Sequence, residues 1–196
     1  MSATLGFKTA IAVSADQKIE YLGFARTAAR AAGDAILPYF RSRMQVTNKL
    51  SGQGFDPVTL ADQAGERVIQ EAIEDAYPDH GIFGEEFGLK SGNGLTWVID
   101  PIDGTRAFMT GMLHWGVLLA LFDGEQPIVG VMYQPYTDEL FSGDNESAWY
   151  ERAGESQSLE TSACRRVDEA CLSTTGIDWL PASKQDVLGN SAKQPN

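Results

Sequence analysis

The run WVIDPIDGTRAF, Trp97 to Phe108, reads as a strand that stops at a carboxylate turn and restarts as a helix. Its apolar part closes at Asp100, and Asp103-Gly104-Thr105 follows at once. Asp100 and Asp103 stand three apart around a proline-stiffened turn, so both carboxylates can face one point. A bare carboxylate pair repels itself. It is tolerable only when protonated, paired with cations or wrapped around a metal. Gly104 and Thr105 offer backbone N–H groups where a helix can begin, a seat for phosphate. Metal-binding carboxylates beside an anion seat point to phosphate-ester chemistry.

Upstream of this run, apolar residues recur at helical spacing. Ile19, Leu22, Ala25, Ala29, Ala32, Ile36 and Tyr39 predict a helix from about Gln17 to Met44, kinked or weakened at Pro38. The small residues from Ala28 to Ala32 favour close packing. Residues 1–15 read as a flexible arm, and Asn48 to Pro57 as a polar loop. A second helix is expected from Leu60 to Ala76, with Asp62 in its first turn and Ala64, Val68, Ile69, Ala72 and Ile73 as its apolar face. Gly81–Gly84 is strand-like and leads into Glu85-Glu86.

Downstream, a short helix is expected near Arg106–Met109. An antiparallel meander follows over Val117–Phe122, Ile128–Tyr133 and Glu139–Phe141, with turns at Asp123-Gly124 and Gln134-Pro135. Ala148–Glu151 and Ala170–Thr174 read as further strands. The polar tail, Ser183–Asn196, reads as disordered.

The chain's 196 residues suffice for one sizeable domain, and 43% hydrophobic with 21% charged residues is ordinary for a globular protein. A formal net charge of −12 repels nucleic acid and anionic membranes. Cys164 and Cys171 form no CxxC pair and read as reduced thiols. No apolar run reaches the ~20 residues of a membrane span, and no signal-peptide layout opens the chain. The cytoplasm is the expected location.

Four acids stand out: Asp62, Glu85, Asp100 and Asp103. Each lies at the end of a regular element, where a rigid scaffold can aim it into a cleft. Magnesium suits them as a hard cation that keeps several waters. Each also has an ordinary reading. A Glu-Glu pair in a loop is commonly solvated, an acid at a helix start favours the dipole, and Asp forms turns. His114 before Trp115 reads as structural, and Trp97, Trp115 and Trp149 as core. The order and spacing of the pieces together make the signal.

Three motifs, DPVTLAD (Asp56–Asp62), GIFGEEFG (Gly81–Gly88) and WVIDPIDGTRAF, resemble the inositol monophosphatase family of magnesium-dependent phosphatases, over about Ile19 to Thr175. The resemblance implies an α+β fold, the N-terminal half of a layered sandwich with two helices on a largely antiparallel sheet. It implies two or three magnesium ions in the complete site. Glu85, Asp100, Asp103 and the Ile102 carbonyl would ligate them. Asp62 would hold the water network, and Thr105, assisted by Glu85, would orient and help deprotonate the attacking water. The N–H groups of Gly104 and Thr105 would hold phosphate. Arg106 stands where inositol-specialised members usually carry Asn, which resembles the histidinol-phosphatase branch of histidine biosynthesis. Three readings of Arg106 stay open: contact with the phosphate, contact with a neighbouring acid, or a surface salt bridge.

Members of this family are longer, with a second α/β layer and a Trp-Asp motif near the end. Here only Asp178-Trp179 occurs, in reverse order. The expectation is therefore a truncated chain: a phosphatase subdomain over 16–168, the start of the second layer over 169–182, and the tail. The functional reading is a phosphomonoesterase acting on histidinol phosphate. The alternatives are an inositol or sugar phosphatase, or an impaired remnant acting through a partner chain. The expected partner is a small phosphate ester, with no nucleic acid and no membrane. A homodimer and a pairing with a full-length paralogue both stay open. A haloacid-dehalogenase motif fails because two residues, not one, separate the aspartates. An EF-hand fails because Gly111 occupies the closing position.

Overall fold

A capping box starts the first helix. Ser14 Oγ accepts the Gln17 N–H at 3.2 Å, and the Gln17 side chain accepts the Ser14 N–H at 2.9 Å. Two donors that helix geometry leaves open are thereby satisfied. The computed structural model describes residues 10–42, 46–48, 57–171 and 173. In it this helix, α1, spans Ala15–Ile36 and buries Leu22, Ala25, Ala28, Ala29, Ala32, Gly33 and Ile36. It stops well short of the expected Met44. Pro38 has no N–H for the helical ladder, so the chain leaves through a 3-10 turn, Leu37–Tyr39, into extended Phe40. Ile19 is 66% exposed, and Tyr21 takes the inward place. The alanine-centred stripe simply runs along the neighbouring face.

The second helix, α2, spans Leu60–Ala76 as the periodicity indicated. Its buried stripe is Ala61, Asp62, Gly65, Glu66, Ile69 and Ile73. Ala64, Val68 and Ala72 are only half-buried. The reason is the contact at Gly65, where a Cβ would lie 2.6 Å from Ile36 and 3.1 Å from Pro101. The helix turns its smallest residue toward α1 and the DPIDGT turn, which carries Asp62 and Glu66 inward.

Two short strands, β1 (Val46–Asn48) and β2 (Pro57–Thr59), pair antiparallel. The large sheet holds β3 (Gly81–Gly84), β4 (Gly88–Lys90), β5 (Thr96–Asp103), β6 (Gly116–Phe122), β7 (Pro127–Gln134), β8 (Glu139–Gly143), β9 (Ala148–Arg152) and β10 (Glu155–Ser158). Their order is β10-β9-β8-β7-β6-β5-β3-β4. The β3–β5 pair is parallel, and the other pairs are antiparallel. Trp97, Ile99, Val117, Leu119, Leu121, Val129, Val131 and Leu140 join the helices' apolar stripes in one core. Each such side chain contributes about 1.5–3 kcal/mol when fully buried. The result is the α+β architecture expected, two helices on a largely antiparallel sheet. The meander turns are tied by their own side chains. Asp123 accepts the N–H groups of Glu125 and Gln126, and Gln134 accepts those of Tyr136 and Thr137.

The chain divides into two compact units, Met1–Leu159 and Glu160–Asn196. In the second, a 3-10 turn at Val167–Glu169 is held by Arg166 pairing with Asp168 and Glu169. The strand expected over Ala170–Thr174 is not formed at Ala170, Cys171 or Ser173. No described strand offers those residues a ladder. Leu172 and Thr174 lie outside the described residues. So do residues 1–9 of the expected arm, Asp56 of the first motif, Asp178-Trp179 and the tail. In residues 10–14, the Ile11 N–H donates to Asp123 O at 2.8 Å.

Candidate functional site

β5 pairs with β6 in regular register from Thr96↔Phe122 to Asp100↔Leu118, then resumes at Asp103↔Gly116. Three steps on β5 therefore match two on β6, and the strand bulges between the two aspartates. Pro101 sits in the bulge, where its missing N–H costs no ladder bond. Gly104 then takes φ +90°, and a Cβ there would fall 2.3 Å from the His114 carbonyl oxygen. Only glycine fits. The short helix α3, Thr105–Met109, starts immediately. Ala107 and Phe108 donate their N–H groups to Gly104 O at 2.8 and 3.1 Å. Phe108 is fully buried against Phe40 and Trp115, which pins α3 to the core.

Asp100 is half-buried, and its Oδ1 is a buried oxygen without a hydrogen-bond partner. Burial pushes the Asp100 pKa up to about 7, reinforced by the charges of Glu85, Asp103 and Asp62 and opposed by a bond from the Ile102 backbone. These charges come from three elements: the first turn of α2, the β3–β4 turn, and β5. Asp62 is 5% exposed, whereas Glu85 and Asp103 face solvent. The Thr105 hydroxyl donates to the Ile102 carbonyl at 3.1 Å, and the Ile102 side chain is buried. Arg106 is exposed on α3.

The fold thus brings Asp62, Glu85 and Asp103 within electrostatic reach of Asp100, and joins Ile102 to Thr105 by a hydrogen bond. Among the described residues, no three His, Cys, Asp or Glu side chains close into a ready metal cage. The donor chemistry nonetheless suits a hard cation. The groups are all oxygens, one of them an unpaired buried carboxylate oxygen. Magnesium retains waters and needs only one or two protein carboxylates.

The other residues considered from the sequence play simpler parts. His114 is exposed, and its carbonyl oxygen lies against Gly104. Trp97 and Trp115 are buried, and Trp149 packs half-buried on the core. Two buried ionisable residues, His80 and Glu66, had escaped the sequence reading. His80 Nδ1 accepts the Trp97 indole N–H at 3.1 Å, and burial lowers its pKa. Glu66, 0% exposed, accepts the N–H groups of Glu86 at 2.7 Å and Phe87 at 3.0 Å, and the Gln70 side-chain amide at 3.0 Å. The sequence carried one signal for Glu66: it lies four residues after Asp62, one turn along the same helix face.

Among known proteins, the sequence model described as "Inositol monophosphatase family" matches residues 17–182. The chain is 35% identical over 150 residues to the bifunctional phosphatase IMPL2 of Arabidopsis thaliana, covering 75% of this chain and 42% of that protein. It is 42% identical over 121 residues to a histidinol-phosphatase of Chlorobaculum parvum, covering 61% and 46% respectively. The structure of an inositol monophosphatase from Zymomonas mobilis superposes with a TM-score of 0.63 at 33% identity, covering 80% of this chain and 57% of that one. The chain spans about half the length of the relatives it matches.

Proposed function

The chain belongs to the inositol monophosphatase family, and from that membership we propose that it is a magnesium-dependent phosphomonoesterase that hydrolyses histidinol phosphate with an activated water. The observation that carries the reading is Asp100. A half-buried carboxylate with an unpaired oxygen, crowded by three further acids, is the electrostatic profile of a cation site. Glu85, Asp100, Asp103 and the Ile102 carbonyl are the groups that would hold magnesium. The chemistry magnesium supplies in such a place is acidification of water and neutralisation of phosphoryl charge.

The chain's own residues then divide the remaining work. Thr105 directs its only hydroxyl hydrogen to Ile102 O. Its oxygen therefore meets other partners as an acceptor, which suits orienting a water whose proton passes toward Glu85. Asp62 keeps the water network in place from the first turn of α2. The first N–H groups of a helix have no partner within it, so Gly104 and Thr105 receive the phosphate, with Arg106 beside them. No covalent phospho-enzyme is required. The histidinol preference is supported by Arg106 after the DGT turn and by the Chlorobaculum relative. The resemblance to the Zymomonas structure favours inositol phosphate as the second reading. Cys164 and Cys171 are both free, which suits a reducing compartment, and the cytoplasm is the proposed location.

Phosphate release from histidinol phosphate and from inositol 1-phosphate, with magnesium, tests the proposal. Faster release from histidinol phosphate is expected. Preference for inositol 1-phosphate would establish the second reading, and inertness of the folded chain toward both would refute hydrolysis.

A further inference from the structure

We propose that Glu66 is a positioning residue that aims Glu85 by clamping the backbone just after it. The inference rests on the reading of Glu85 as a metal ligand. A fully buried carboxylate is costly unless its oxygens are satisfied. Here both are. Oε2 takes the Glu86 N–H, while Oε1 takes the Phe87 N–H and the Gln70 side chain. Three donors on the two oxygens of one carboxyl group leave it little freedom to turn. The two backbone bonds fix two successive peptide units of the turn immediately after Glu85.

The neighbourhood is cut to fit this contact. A Cβ on Gly84 would lie 1.7 Å from Glu66 Oε1, so the absence of a side chain there is what lets the carboxylate reach the turn. The base of the clamp is closely packed. Gly65, next to Glu66, holds α2 against Pro101 of the DPIDGT turn. One helix therefore sets Asp62 directly, through its first turn, and sets Glu85 indirectly, through Glu66. An apolar residue at this position would leave the Glu86 and Phe87 N–H groups without their carboxylate acceptor.

The test uses the 196-residue chain, magnesium as the probe, and two readouts: magnesium affinity by calorimetry and amide exchange without metal. Glu66→Asp keeps the carboxyl group but is one methylene short of holding both N–H groups. It is expected to speed exchange at Glu86 and Phe87 and to weaken magnesium binding, each by about tenfold or more, the range seen when groups orienting a ligand are lost. Gln70→Ala, which removes only the outer brace, is expected to change both far less. Wild-type exchange and wild-type affinity in Glu66→Asp would overturn the proposal. So would a Glu66→Gln variant that loses affinity while the turn stays protected, since charge alone would then be acting. If the variants fail to fold, the wild type still decides. Amides of Glu86 and Phe87 that exchange as in unstructured chain would overturn the clamp, and protected ones uphold it. Exchange that responds to Glu66→Asp in a wild type that binds no magnesium would uphold the clamp and refute the metal reading of Glu85, so the two fail separately.

Discussion

Asp100 is the residue on which stability and function pull in opposite directions. Its pKa is raised to about 7, first by burial and then by neighbouring acids. A raised carboxylate pKa means the fold prefers the protonated form. Ionisation therefore costs stability, progressively from the ordinary value near 3.8 up to about 7. Asp100→Asn removes that cost. We expect it to stabilise the metal-free chain by on the order of 1–2 kcal/mol at pH 8, and by less at pH 5, after allowance for solvent screening. Urea unfolding at the two pH values measures this; a destabilised variant at pH 8 would contradict it. The same variant is expected to lose magnesium binding. His80 carries the opposite sign. Its pKa is lowered by burial, so the unfolded chain binds a proton that the folded chain refuses. Stability should fall as pH drops below about 6.5 toward the lowered value. His80→Gln is expected to flatten that slope. An unchanged slope would show that His80 does not titrate in this way.

At the scale of elements, most of the fold was legible in the sequence. α2 was readable because Leu60 to Ala76 is strongly periodic and Tyr77-Pro78 stops it. The β6–β8 meander was readable because apolar runs alternate with side-chain-capped turns. The failures have separate causes. The end of α1 was overestimated because the apolar spacing continues past Pro38 while the backbone does not. β10 was missed because it is all polar, and because its turn uses Ala153 at φ +51° ahead of Gly154 at φ +83°. Alanine rarely adopts that conformation, so the usual hairpin signal was absent. Glu66 was missed because a lone glutamate on a helix normally faces water. The same packing logic yields two tests. Gly33 of α1 meets Tyr133 and Pro135 of the sheet side at 2.7 and 2.8 Å from an imagined Cβ. Gly33→Val should cost about 1–3 kcal/mol through overpacking, read as a lowered midpoint of thermal unfolding. Gly104→Ala at the head of α3 meets backbone at 2.3 Å in a left-handed conformation. It should destabilise by about 1–3 kcal/mol and depress phosphate release further, because Thr105 and the helix start are displaced together. Wild-type stability in either variant would show that the chain relaxes at that point.

At the scale of the whole molecule, the sheet and two helices frame the acids around Asp100. β5 brings Asp100 and Asp103, the β3–β4 turn brings Glu85, and α2 brings Asp62, each from a different part of the sequence. The motifs identified those residues because their order along the chain is distinctive. Their mutual electrostatics were beyond the sequence, since charge coupling depends on the parallel pairing of β3 with β5 and on the approach of α2 at Gly65. Magnesium titration of the 196-residue chain by calorimetry at pH 8, with Asp100→Asn alongside and Glu125→Gln as a remote acidic control, tests this directly. The account predicts saturable binding in the wild type and the control and none in Asp100→Asn. Equal binding in all three, or no binding in the wild type, would contradict it.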